Sequence, residues 1–314
     1  MRLRLLPHAL LWVAFGVLAA SPAPAASRQV LRPEGFQPRF PYSPGIVAGD
    51  WVFLAGQGSR DPKTGRHPDS FEGQVRQAIE NVRAVLQAGG MDLSHLTSCH
   101  VYLDDLENYA RMNAVYRQVM TASPPVRTTI AVPALPDDSH IEITCLAVRE
   151  TKMKQAVFRG SPPAKPGLFP PGMQAGPWLF TSGAGSRDPA TGKHPEGFEA
   201  QVRQSLENLG AVLKSAGLGF SGVVWANVYL DDAQNLPTTE KVYAAYFPGP
   251  RKPGRTVSIV ARIPGDSQVE ITLLASREAA RARSVAKGRA VLVGDLLFVS
   301  AQSAPGATIE DQVK

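Results

Sequence analysis

The sequence predicts an α+β fold, a sheet with two helices on one face, duplicated in tandem and begun a third time. Three observations predict it. Trp51-Val52-Phe53-Leu54-Ala55-Gly56 with Gly58-Ser59-Arg60-Asp61-Pro62 returns as Trp178-Leu179-Phe180-Thr181-Ser182-Gly183 with Gly185-Ser186-Arg187-Asp188-Pro189. Short apolar runs are mixed with stretches whose apolar residues recur every three or four positions, the pattern of strands and helices sharing one layer pair. Val293 to Gln302 then repeats Ala48 to Gln57, and Glu310 to Lys314 matches the helix start Glu72 to Arg76. A repeat far longer than a solenoid period means duplicated domains rather than a stacked array.

The chain opens on a targeting segment. Met1-Arg2-Leu3-Arg4 is basic, Leu5 to Ala20 is apolar, and Ala23-Pro24-Ala25 supplies the small residues of a cleavage site, so residues 1–26 read as a signal peptide. The expected location is periplasmic or secreted, with no membrane attachment after cleavage. Residues 27–150 form the first expected domain. It begins with a strand at Arg28 to Leu31, passes through Pro41 and Pro44, and forms an apolar strand at Asp50 to Ala55. Asp61-Pro62-Lys63-Thr64-Gly65 is a turn. Phe71 to Ala88 is a helix, with Val75, Ile79, Val82 and Leu86 on one face and Gly89-Gly90 stopping it. A strand at Leu96 to Leu103, a helix at Asn108 to Met120, and strands at Thr128 to Val132 and His140 to Val148 complete the order β-β-α-β-α-β-β. Residues 151–280 repeat it after the Pro-rich linker Ser161 to Gly167. Residues 281–314 start a third copy, expected to be incomplete.

The 314 residues carry a formal charge of +6. Lys and Arg do not cluster into runs, which argues against a nucleic-acid face. The two cysteines, Cys99 and Cys145, fall in strands of the first copy, where the second has Ala226 and Leu273. Two buried free thiols are the preferred reading, with a disulfide as the alternative. The histidines show no ligand spacing, so no metal is expected.

The residues held through the duplication point to the chemistry. Arg127 follows Pro125-Val126 and Arg255 follows Pro253-Gly254, each at the start of a strand. Glu142 lies between Ile141 and Ile143, and Glu270 between Val269 and Ile271, so strand alternation turns both carboxylates away from the apolar face. A guanidinium able to clamp a small carboxylate, beside a carboxylate able to steer water, suits hydrolysis of a small anion. The expectation is one such Arg–Glu pocket in each finished copy.

Pro41-Tyr42-Ser43, Ala55-Gly56-Gln57, Asp61 to Gly65, Gln77 to Asn81, Val101-Tyr102-Leu103, Pro125 to Thr128 and Ile141-Glu142-Ile143 together resemble the RidA family, also known as YjgF or L-PSP proteins. The resemblance covers both copies and the start of the third. It implies a chorismate-mutase-like fold, trimer-like assembly with clefts between neighbouring units, and hydrolysis of reactive 2-imino or enamine acids to 2-keto acids and ammonia, without a cofactor. Carried across, Arg127 and Arg255 clamp the substrate carboxylate, and Glu142 and Glu270 position water. Tyr42, Gly56, the Thr129 backbone N–H and Gly183 contact the ligand. Copy two has Phe169 for Tyr42 and Ala184 for Gln57. The rival readings are a carboxylate-binding protein without turnover and an RNA-cleaving translation inhibitor.

Overall fold

The computed structural model describes residues 28–37, 41–120, 123–163, 167–285 and 290–300. The expected signal segment and the helix start at Glu310 to Lys314 lie outside these residues. The first copy runs β1 (Arg28–Leu31), β2 (Gly45–Ala48), β3 (Trp51–Gln57), α1 (Phe71–Gln87), β4 (Leu96–Leu103), α2 (Tyr109–Val119), β5 (Val126–Ala131) and β6 (Ile141–Val148). The sheet order is β1-β2-β3-β6-β4-β5, with β4 and β5 parallel and the other neighbours antiparallel.

Strand β2 is missing from the order expected from sequence. Its four residues begin with a glycine and carry too little periodicity to register as a strand. They pair because Gly49-Asp50 makes a two-residue hairpin turn, with Gly49 at φ 59°. Helix α1 starts where the Ser70 hydroxyl accepts the Gly73 N–H at 3.1 Å, and it buries Val75, Ile79, Val82 and Leu86 against the sheet. Alternation along β4 and β6 sends Cys99, Val101, Leu103, Ile141 and Ile143 into that core and turns Glu142 to the opposite face.

The expectation of two free thiols is corrected. The β4–β6 register sets Cys99 directly opposite Cys145, with their Cα atoms 4.2 Å apart, and the two sulfurs are bonded. Copy two solves the same position apolarly, with Ala226 opposite Leu273.

Copy two consists of β7 (Lys154–Val157), β8 (Gly172–Ala175), β9 (Trp178–Thr181), α3 (Phe198–Ser215), β10 (Val223–Leu230), α4 (Leu236–Tyr246), β11 (Gly254–Ile259) and β12 (Val269–Ser276), ordered as in copy one. A third, three-stranded sheet follows from β13 (Arg283–Val285), β14 (Ala290–Val293) and β15 (Leu296–Val299).

Besides the two cores under the helices, a third apolar cluster joins the units. Trp51, Val126 and Val148 of copy one meet Met173, Trp178, Phe180 and Val224 of copy two, and Val291 and Val293 of the third sheet. The ring contacts advance one unit at a time, with Trp51 edge-on to Phe180 at 5.7 Å and Trp178 against Phe298 at 5.6 Å. The strand ends are tied as well. Ala131 N–H donates to the Arg262 carbonyl at 3.0 Å, and Ala261 N–H donates to the Ala131 carbonyl at 3.0 Å. This docking sets the ends of β5 against the outer face of the second sheet.

Candidate active site

Arg127 lies on edge strand β5, and its backbone is docked onto copy two. Its N–H donates to Ser182 Oγ at 3.0 Å, and its carbonyl accepts the Gly183 N–H at 3.1 Å. The guanidinium is buried, donating to Asn113 Oδ1 at 2.6 Å and to Tyr109 Oη at 3.4 Å, both on α2. The Tyr116 ring lies 4.7 Å from it and the Phe169 ring, from copy two, 4.6 Å. Nε has no hydrogen-bond partner among the described residues. None of these hydrogen-bonding partners is an anion. A buried cation without a paired anion is costly, and a bound carboxylate relieves that cost.

A carboxyl that feels this cation's charge belongs to copy two. Glu270, on β12, is buried and accepts the Thr129 backbone N–H. Burial pushes its carboxyl up to about 8, against the lowering effects of the Arg127 charge and the Thr129 N–H. It lies so close to Gly183 that a Cβ there would fall 2.0 Å from Glu270 Oε1. Glycine at this position is therefore a steric requirement. A cavity of about 480 Å³ opens over Glu270 and Gly183, lined also by Tyr109, Phe169, Arg187 and His194 among others, with Arg127 buried outside that lining against the Phe169 ring.

The structure therefore brings Arg127 together with Glu270, Gly183 and the Thr129 N–H. It does not bring Arg127 to Glu142, which corrects the pairing of arginine and glutamate within each copy; the arginine of copy one lies near the glutamate of copy two. Glu142, Gly56 and Tyr42 line a separate cavity of about 630 Å³. The same close approach recurs there, since a Cβ on Gly56 would lie 1.9 Å from Glu142 Oε1. Burial raises the half-buried Glu142 carboxyl, and the Tyr42 hydroxyl is raised by burial and then by Glu142 and Asp137. The arginine among this cavity's described lining, Arg60, is held by Asp137 in a two-pronged ion pair. Arg255, like Arg127, is absent from both linings, but it differs in its partner. It lies over the Tyr243 ring at 4.6 Å and is paired with Glu240, at the position where copy one has Asn113. The two arginines are thus electrostatically unlike, one neutralised and one not.

Sequence reasoning missed Phe169 as a wall of the Arg127 site, and Tyr109 and Asn113 as its supports. The exchange of Asn113 for Glu240 between copies was the available signal. It also missed a repeated polar knot. Ser59 Oγ is 2.8 Å from His67 Nδ1 and donates to Gln74 Oε1 at 2.9 Å; Ser186 Oγ is 2.8 Å from His194 Nδ1 and donates to Gln201 Oε1 at 3.1 Å. Both serines are fully buried, so these are braces that fix the turn loops over the cavities rather than nucleophiles.

Comparison with known proteins agrees with this architecture. The family model described as Endoribonuclease L-PSP matches residues 33–149 and again 161–277. The chain is similar to a RutC family protein of Pyrococcus horikoshii, 41% identical over 115 residues, which are 36% of this chain and 91% of that protein. It is 38% identical over 112 residues to the 2-iminobutanoate/2-iminopropanoate deaminase of Salmonella typhimurium, covering 35% of this chain and 88% of the relative. Among solved structures, the YjgF gene product of E. coli matches at 32% identity and a TM-score of 0.38, over 39% of this chain and 99% of that one.

Proposed function

Starting from the fact that the chain belongs to the Endoribonuclease L-PSP family, we propose that its inter-copy cleft hydrolyses small 2-imino acids to 2-keto acids and ammonia. The observation that carries this reading is Arg127, a buried guanidinium without an anionic hydrogen-bond partner, packed against the Phe169 ring and acting electrostatically on Glu270, both of which line the cavity. The name of the Salmonella relative supports the reaction class.

In this reading Arg127 takes the substrate carboxylate after the Phe169 ring swings aside. Glu270 is neutral at pH 7 because of its burial, and it donates its proton to the imine nitrogen. Water adds to the imine carbon and returns a proton to the Glu270 carboxylate. Glu270 then protonates the carbinolamine nitrogen, the C–N bond breaks as ammonia leaves, and the hydroxyl returns its proton to Glu270 as the carbonyl forms. We also propose, as the trimer-like assembly of the family implies, that another such unit supplies the cation the Glu142 cavity lacks. Export fits the Cys99–Cys145 bond, since disulfides persist in oxidising compartments.

The test is keto-acid release from enzymatically generated 2-iminopropanoate, measured above the enzyme-free rate. Arg127→Ala should lower kcat/KM on the order of a hundredfold, while Arg255→Ala should leave most activity. Equal rates for wild type and Arg127→Ala would end the reading.

A further inference from the structure

The two cavities differ at one position that changes their charge. In copy one Arg60 is neutralised by Asp137. The residue matching Asp137 in copy two is Gly265, so the arginine matching Arg60, Arg187, has no acidic partner among the described residues. Its guanidinium is nevertheless held in place, Nη1 donating to the Gly192 carbonyl at 2.5 Å and Nη2 to the Gly265 carbonyl at 3.2 Å. Arg159 lines the same cleft, also without an acidic partner among the described residues. Glu270 is the one carboxyl among the described lining residues. The cleft lining therefore carries two cations without acidic partners, Arg159 and Arg187, and a third, Arg127, is buried just outside it against the Phe169 ring.

We propose that this cleft selects dicarboxylic 2-imino acids, with the α-carboxylate on Arg127 and the side-chain carboxylate on Arg187 at the rim, assisted by Arg159. The proposal rests on the deaminase reading above and names its substrate class. A cavity of about 480 Å³ has room for a four- or five-carbon diacid. A second charge-assisted contact at a fixed guanidinium gives the discrimination.

The experiment compares 2-iminosuccinate, made by oxidising aspartate, with 2-iminopropanoate, made by oxidising alanine, using the full chain and following keto-acid release. The wild type should show a KM about tenfold lower for the diacid, the size of one exposed charge-assisted contact. Arg187→Gln should remove most of that preference. Gly265→Asp offers a second route, because it recreates the copy-one pairing and neutralises Arg187 in place. Aspartate is tolerated at this backbone conformation, since Asp137 adopts φ 63° where Gly265 has φ 71°. Equal KM values for the two substrates in the wild type, or a preference unchanged in both variants, would overturn the proposal while leaving the deaminase reading intact. Turnover of neither substrate would sink the deaminase reading itself.

Discussion

Glu270 and Gly183 shape the inter-copy cleft, the first through its burial and the second through the space it leaves for the carboxyl. Glu270 keeps its proton to about pH 8 in the folded protein, whereas an ordinary glutamate releases it near 4.5. The folded state thus binds a proton that the unfolded chain gives up, so this group's contribution makes stability fall as pH rises from about 4.5 to about 8. Melting curves taken across that range should show the decline in the wild type and a flatter profile in Glu270→Gln. Activity should fall over the alkaline limb as well, since the proton donated to the imine is then missing. Gly183 makes the companion case. Gly183→Ala places a methyl group 2.0 Å from Glu270 Oε1, which must displace the carboxyl and abolish turnover at the Arg127 cleft. Gly56→Ala makes the same clash with Glu142, in the other cavity, and should leave that turnover in place. A keto-acid assay on the two variants checks both outcomes. The glutamates could be placed on the outer sheet face from the alternation around Ile143 and Ile271. Their protonation could not, because it depends on what covers them.

At the scale of the elements, most of the fold was legible in the chain. Helix α1 follows from the spacing of Val75, Ile79, Val82 and Leu86, and β4 from Leu96 to Leu103, because local period sets which residues share a face. Strand β2 was not legible, since four residues beginning with glycine become a strand only through pairing with β1 and β3. Neither was the disulfide, which depends on a register between strands 46 residues apart in sequence. Closing a loop of this length contributes about 2–4 kcal/mol. Reduction should lower the denaturation midpoint of the wild type accordingly. The double variant Cys99→Ala with Cys145→Leu, which installs the copy-two pair, should not respond to reductant. Chemical denaturation with and without dithiothreitol tests this.

In the whole molecule, copies one and two each offer a tryptophan and a phenylalanine at matching positions, and the described chain uses them unevenly. Phe180 is 8% exposed against Trp51, whereas the matching Phe53 is 42% exposed. If another unit seats beside copy one, as proposed, Phe53→Ser should weaken that association and lower the molar mass seen by light scattering. An unchanged mass would count against the assembly. The duplication, the order of the main elements, the family and the face bearing each glutamate were determined by the sequence alone, because short-range periodicity and the repeat itself encode them. The partnership between Arg127 and Glu270 came from the folded molecule. These residues lie on an edge strand of one sheet and a central strand of another, and the docking of apolar faces around Trp51, Trp178 and Phe180, with Ile130 packed in one cluster with Tyr229 and Val260, brings the cation of one copy to the carboxyl of the next.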